Sequence, residues 1–214
     1  MWFINIRREL QKQIENLNHL DPEVRSSAAD AIGKIARNGR AQAVVDAGAI
    51  PVLIRVLKDP DEDVRELAAS ALAEIADSGH AKAVIDAGAV PELIHHALSD
   101  GCEFMGEWAR FLLNLIAESG QKQAVIDARV LPEVIRALSN SDKYVRELAI
   151  YALGMIAESG YTDEIICSGA LEKLKALVND STKVRVYDEV RKEWVKTTLG
   201  AVASDTLKKI ERAH

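Results

Sequence analysis

Cysteine is too scarce here for the fold or its chemistry to rest on sulfur. Cys102 and Cys167 are the only two in 214 residues, and no Cys/His spacing of the metal-binding kind accompanies them. That excludes a disulfide framework and makes a reducing, cytoplasmic setting the expectation. Excess positive charge is also missing. A net charge of −6 argues against nucleic acid or an anionic membrane as partner, since either calls for a basic face. No run approaches the roughly 18 apolar residues of a membrane span. The opening MWFINIRRELQKQI lacks the apolar core and small-residue cleavage site of a secretory signal, so a soluble protein is expected. Gly-rich phosphate loops, GxSxG and HExxH are absent too, so no catalytic residue, cofactor or metal is expected.

What the chain has instead is repetition. Positions 44–50 read VVDAGAI, 84–90 VIDAGAV, 125–131 VIDARVL and 165–171 IICSGAL. The Gly48 position returns as Gly88, Arg129 and Gly169, a nearly constant step of about 40 residues. A fixed helical period of that length is the signature of a stacked α-solenoid, in which each unit buries its apolar face only against its neighbours.

Residues 2–20 form an amphipathic pattern, with Phe3, Ile6, Leu10, Ile14 and Leu17 near helical spacing. This helix is expected to cap the first unit; the alternative is that Trp2, Phe3 and Ile4 form a docking or self-association patch. Asp21-Pro22 opens a long helix over residues 23–37, since Asp is a favoured N-cap and Pro suits the first turn. A short helix is expected over residues 41–46, broken by a left-handed Gly48. Pro51 then starts a medium helix to residue 58, and Asp59-Pro60 restarts the cycle. After Lys183-Val184-Arg185 the last unit carries an insertion of about six residues within VYDEVRKEWVK, which suits a divergent C-terminal cap.

The unit of short, medium and long helix, with VIDAGAVPELI leading into the second and ALAEIADSG ending the third, resembles the armadillo repeat. The long-helix starts DPEVR and DPDEDVR are also similar to HEAT-type repeats of bilin lyases. The resemblance implies an all-α, right-handed α-solenoid. Its parts would be a capping helix over residues 1–20, about four repeats over 21–180 and a divergent capping repeat over 181–214.

Comparing repeats within the chain locates a candidate site. Segments 64–79 and 145–160 share 11 of 16 residues. They differ at Ala69/Ile150, Ser70/Tyr151, Ala73/Gly154 and Glu74/Met155, which lie on one helical face, and at Asp77/Glu158. Armadillo proteins line their concave groove with that face, and their peptide-binding members carry Trp and Asn at the positions of Ser70 and Glu74. Here the two columns are Asp30, Ser70, Phe111, Tyr151 and Lys34, Glu74, Leu115, Met155. Neither contains Trp or Asn, so importin-like recognition of nuclear-import signals is not implied.

Asp30, Lys34, Glu66, Ser70, Glu74, Trp108, Phe111, Leu115, Glu147, Tyr151 and Met155 are thus the candidate groove residues. Units one and two offer charge. Units three and four offer an apolar patch of Phe111, Leu115, Tyr151 and Met155, with Ile150 and Trp108 beside it, either as a binding surface or as core under the cap. His95, His96, Cys102 and Glu103 lie close in sequence, but adjacent histidines point to different sides of a helix, and an ordinary surface pair is expected. The functional expectation is a non-catalytic scaffold for a protein or extended peptide, with self-association through Trp2, Phe3, Ile4 or the groove as a further possibility. The alternatives are a small-molecule-binding or lyase-like HEAT-type protein, and an engineered or structural module without a natural ligand.

Overall fold

The computed structural model describes residues 2–100, 108–111, 131–188 and 193–213. Helix α1 spans Trp2–Asn16 and packs on the first unit through buried Leu10. The long helix α2 (Pro22–Ile35) follows, then short α3 (Ala41–Asp46), medium α4 (Ala49–Val56) and long α5 (Glu62–Ile75). Next come α6 (Ala81–Asp86) and α7 (Ala89–Asp100), and residues 108–111 are helical. Medium α8 (Leu131–Ala137), long α9 (Lys143–Glu158), α10 (Thr162–Cys167) and α11 (Ala170–Leu177) complete the next turns of the stack. The fold is an α-solenoid with one local departure among the described residues, an antiparallel hairpin of β1 (Lys183–Asp188) and β2 (Glu193–Thr198) before the last helix, α12 (Leu199–Ala213).

The turn glycines behave as their spacing predicts. Gly48, Gly88 and Gly169 have φ of 75°, 83° and 79°, each just before a medium helix. Arg129 lies outside the described residues. The medium helix starts at Ala49, ahead of Pro51, because a first-turn proline gives up no intrahelical hydrogen bond.

Long helices stack directly on long helices, α2 against α5 and α9 against α12. Gly33 allows the first approach, since a Cβ there would lie 3.2 Å from the Ala71 Cα. The buried column of Leu53, Leu57, Leu72, Ile75, Leu93 and Ile94 runs through successive units as one core.

The long-helix starts combine a cap with a clamp. Asp21, Asp61 and Asp142 are the N-caps, accepting from the backbone N–H of Glu23 (2.9 Å), Val64 (3.2 Å) and Tyr144 (2.7 Å). Asp59, expected to restart the helical cycle, instead accepts from the Asp61 N–H and receives Arg25 of the previous unit at 2.7 and 2.8 Å. Arg25 also donates to the carbonyls of His19 and Leu20. Arg65 and Arg146 repeat the device on Asp59/Pro60 and Asn140/Ser141, and Arg146 reaches Asp180 at 3.5 Å. Through Arg25–Asp59 and Arg146–Asp180 the recurring Val-Arg dipeptide therefore ties the first and fourth units to the ones that follow them.

This clamp makes stability acid-sensitive. Burial pushes the Asp59 carboxyl up, but hydrogen bonds from Arg25 and the Asp61 N–H, with the charges of Arg25 and Arg65, outweigh it and hold the pKa below the usual carboxylate value. The Thr182 hydroxyl and N–H, then Arg146, hold Asp180 low as well. A depressed folded pKa contributes stability that is present above the unfolded value, about 4, and is lost as pH falls through the folded one. Thermal melts should therefore lose Tm between about pH 5 and 3, and Asp59→Asn should flatten that loss. An equal acid response in the variant would exclude Asp59 as a source.

The C-terminus corrects the expected short insertion. Asp180 and Thr182 stand one full repeat after Asn140 and Asp142 and copy their turn, the Asp180 Oδ1 accepting from the Thr182 N–H at 2.8 Å. The period would bring the counterpart of Val145 at position 185. It arrives only as Leu199, so the excursion is more than twice as long as expected. The added chain forms most of the hairpin, in which Val184 is buried and Val186 faces Val195 across the strands. The chain then rejoins the turn it left: Leu199 N–H donates to Thr182 O (3.0 Å) and Gly200 N–H to Asp180 O (2.9 Å). From Leu199 onward the long-helix pattern resumes, with Leu199, Ala203, Thr206 and Ile210 buried as Val64, Ala68, Ala71 and Ile75 are. Gly154 faces Thr206 as Gly33 faces Ala71.

Candidate binding groove

Among the described residues two of the four variable columns on the long helices are core, with Arg110 the exception. Ala29, Ala69 and Ile150 are fully buried, and Gly33, Ala73 and Gly154 one turn on are buried too. Their variation is steric compensation between stacked helices rather than ligand reading. The columns that reach the surface are those of Ser70 and, apart from Met155, of Glu74. Asp30, Ser70, Phe111 and Tyr151 are all half-buried, open on one side and supported on the other.

Charge in the first two units is internally paired. Lys34 meets Asp30 at 2.5 Å along α2, with the Lys34 side chain exposed and Asp30 half-buried. Glu74, 17% exposed, receives Arg37 from the preceding unit. Glu66 is half-buried on the first turns of α5. An exposed i,i+4 pair contributes only about 0.3–0.5 kcal/mol, so Asp30 and Lys34 exchange partners easily.

The expected apolar patch is smaller than its residue list. Met155 and Ile150, 8% and 0% exposed, are core residues beneath the stacking of α12 on α9. Glu147 is also no groove contact: it is 3% exposed and holds Arg110. Leu115 lies outside the described residues. What remains is an aromatic cluster, all half-buried. Trp108 and Phe111 stand edge to face at 6.2 Å, and the Arg110 guanidinium lies 5.0 Å from the centre of the Tyr151 ring. Buried Glu147 thus fixes a cation on one face of Tyr151, which turns the middle of the groove from purely apolar to amphipathic.

Arg37 and Arg110 were not among the expected site residues, yet a signal for them exists. Each cation precedes its carboxylate by 37 residues, one repeat less one helical turn. His95 is exposed, edge to face with His96, and pairs with Glu133 at 3.3 Å, as a surface histidine does; Cys102 and Glu103 lie outside the described residues. Among the described residues no group of three His, Cys, Asp or Glu could hold a metal, and no helix is long and apolar enough to cross a membrane.

Stacked three-helix units presenting a ladder of long helices define a helical-repeat solenoid of the kind that exposes an extended concave surface. The armadillo/beta-catenin-like repeat model matches residues 38–77. A crystal structure of an engineered protein is 31% identical with a TM-score of 0.69, covering 95% of this chain and 81% of that one. A designed armadillo repeat protein in complex with the peptide (KR)4 is 26% identical with a TM-score of 0.67, covering 94% and 81%. A computationally designed armadillo repeat protein for modular peptide recognition is 27% identical with a TM-score of 0.65, covering 95% and 87%. No curated protein matches the chain. The chain belongs to the armadillo-repeat family.

Proposed function

We propose that this protein is a non-catalytic scaffold that binds an extended peptide or protein segment along the ladder of Ser70, Glu74, Trp108, Phe111 and Tyr151. The observation that carries this reading is the aromatic cluster. Trp108, Phe111 and Tyr151 keep part of their surface in solvent, on the helices where a family member's groove lies. Half-buried aromatics are rigid anchors that bury large area at low entropy cost. Similar designed proteins that hold peptides support the same reading. Asp30, Glu66 and Glu74 supply carboxylates for basic residues of the segment, and the aromatics supply apolar pockets.

A random-peptide library selected against the wild type and against Phe111→Ala/Tyr151→Ala tests this. Peptides enriched on the wild type should weaken by at least about tenfold on the double variant, each lost anchor being worth on the order of 1–2 kcal/mol. A folded wild type that enriches nothing would redirect the function to a folded partner or a small molecule.

A further inference from the structure

The register of α12 makes it more than a cover. Its buried residues Leu199, Ala203, Thr206 and Ile210 match Val64, Ala68, Ala71 and Ile75 one for one, at a single constant offset. The same offset carries Ser70 to Asp205 and Glu74 to Lys209, both exposed. An independent contact agrees. Arg37 pairs with Glu74 across the first two long helices, and Glu158 pairs with Lys209 at 2.8 Å across the last two, in the same places with the charges exchanged. The hairpin excursion conceals this rung from the sequence period but does not displace it.

We propose that α12 is a fifth rung of the groove, on which Lys209 receives an acidic residue of the bound segment. This rests on the groove reading above and assigns its ligand class: a segment basic at the end over Glu74, apolar in the middle and acidic at the end over Lys209. The Glu158–Lys209 pair is half exposed on both sides, at 51% and 50%, so Lys209 can turn to a ligand carboxylate at small cost. Glu74, at 17% exposure, stays in place as a fixed carboxylate. Further positive charge gathers at the Lys209 end. Arg212 is exposed one turn along α12. From Glu74 to Lys209 the groove crosses three helix-to-helix steps of about 9–10 Å. At about 3.3 Å per extended residue, the two charges of the ligand should lie roughly eight or nine residues apart.

The test uses three labelled peptides with the same aromatic centre, titrated by fluorescence anisotropy. One has lysine and glutamate ends at that spacing, one lysine and glutamine ends, one lysine at both ends. The wild type should bind the lysine–glutamate peptide about tenfold tighter than the dilysine peptide. Lys209→Glu should reverse that order and Lys209→Gln should abolish it, with circular dichroism confirming that both variants are folded. Equal binding of all three peptides, unchanged in both variants, would overturn the fifth rung while leaving the groove intact. No binding of any peptide to the wild type would remove both readings.

Discussion

Replacing Gly200 with alanine should destabilise the C-terminal end of the protein by about 3 kcal/mol, near the upper end of the usual overpacking cost. A Cβ on this residue would lie 2.2 Å from the Val178 carbonyl oxygen and 3.0 Å from that of Asp180. Both obstacles are backbone, so no rotamer relieves them. The Gly200 N–H bond to Asp180 O and the Leu199 N–H bond to Thr182 O hold the start of α12 in this place. Moving it uncovers the face of α9 that contains Gly154 and Met155. Because a solenoid is stabilised unit by unit, the loss should fall on α12 and its neighbours first. Denaturant titration followed by limited proteolysis checks this. A loss under about 1 kcal/mol, below the usual overpacking range, or cleavage beginning at α1, would contradict it.

Arg110→Ala should cost a similar amount, about 3 kcal/mol, by a different mechanism. The substitution removes the cation held against Glu147, 3% exposed, and taking one partner from a buried ion pair is strongly destabilising. It also uncovers the Tyr151 ring face on which the guanidinium rests. Adding Glu147→Gln should recover much of the stability, since an amide carries no charge to compensate. A double-mutant cycle measures the coupling, and a coupling energy below about 0.5 kcal/mol would show that the pair contributes little.

The architecture was legible because stacking demands repetition. Gly48, Gly88 and Gly169 recur where the medium helix that follows needs a left-handed residue before it, and Asp21 and Pro22 serve the helix start that their chemistry suits. The site was legible only in part. Relaxed identity between repeats has two causes, freedom to meet a ligand and mutual adjustment of stacked helices. Ser70 and Tyr151, half-buried and open on one side, have room for the first, whereas Ala69, Ile150, Ala73 and Gly154 are buried and follow the second. Met155 is core for the same reason, which is the outcome expected if the C-terminal cap covers it, although the excursion that breaks the period conceals where the covering helix begins. The Arg25–Asp59 clamp is hidden in a different way. Asp59 has the chemistry of a helix cap, and only the fold shows Asp61 taking that role.

The most direct test of the groove is the footprint of a selected peptide, followed by backbone amide chemical shifts in the ¹⁵N-labelled protein. The largest changes should fall on Ser70, Glu74, Phe111 and Tyr151, and Phe111→Ala/Tyr151→Ala should abolish them. Changes confined to the medium helices α4, α7, α8 and α11, on the other layer of the solenoid, would place binding elsewhere and contradict the groove.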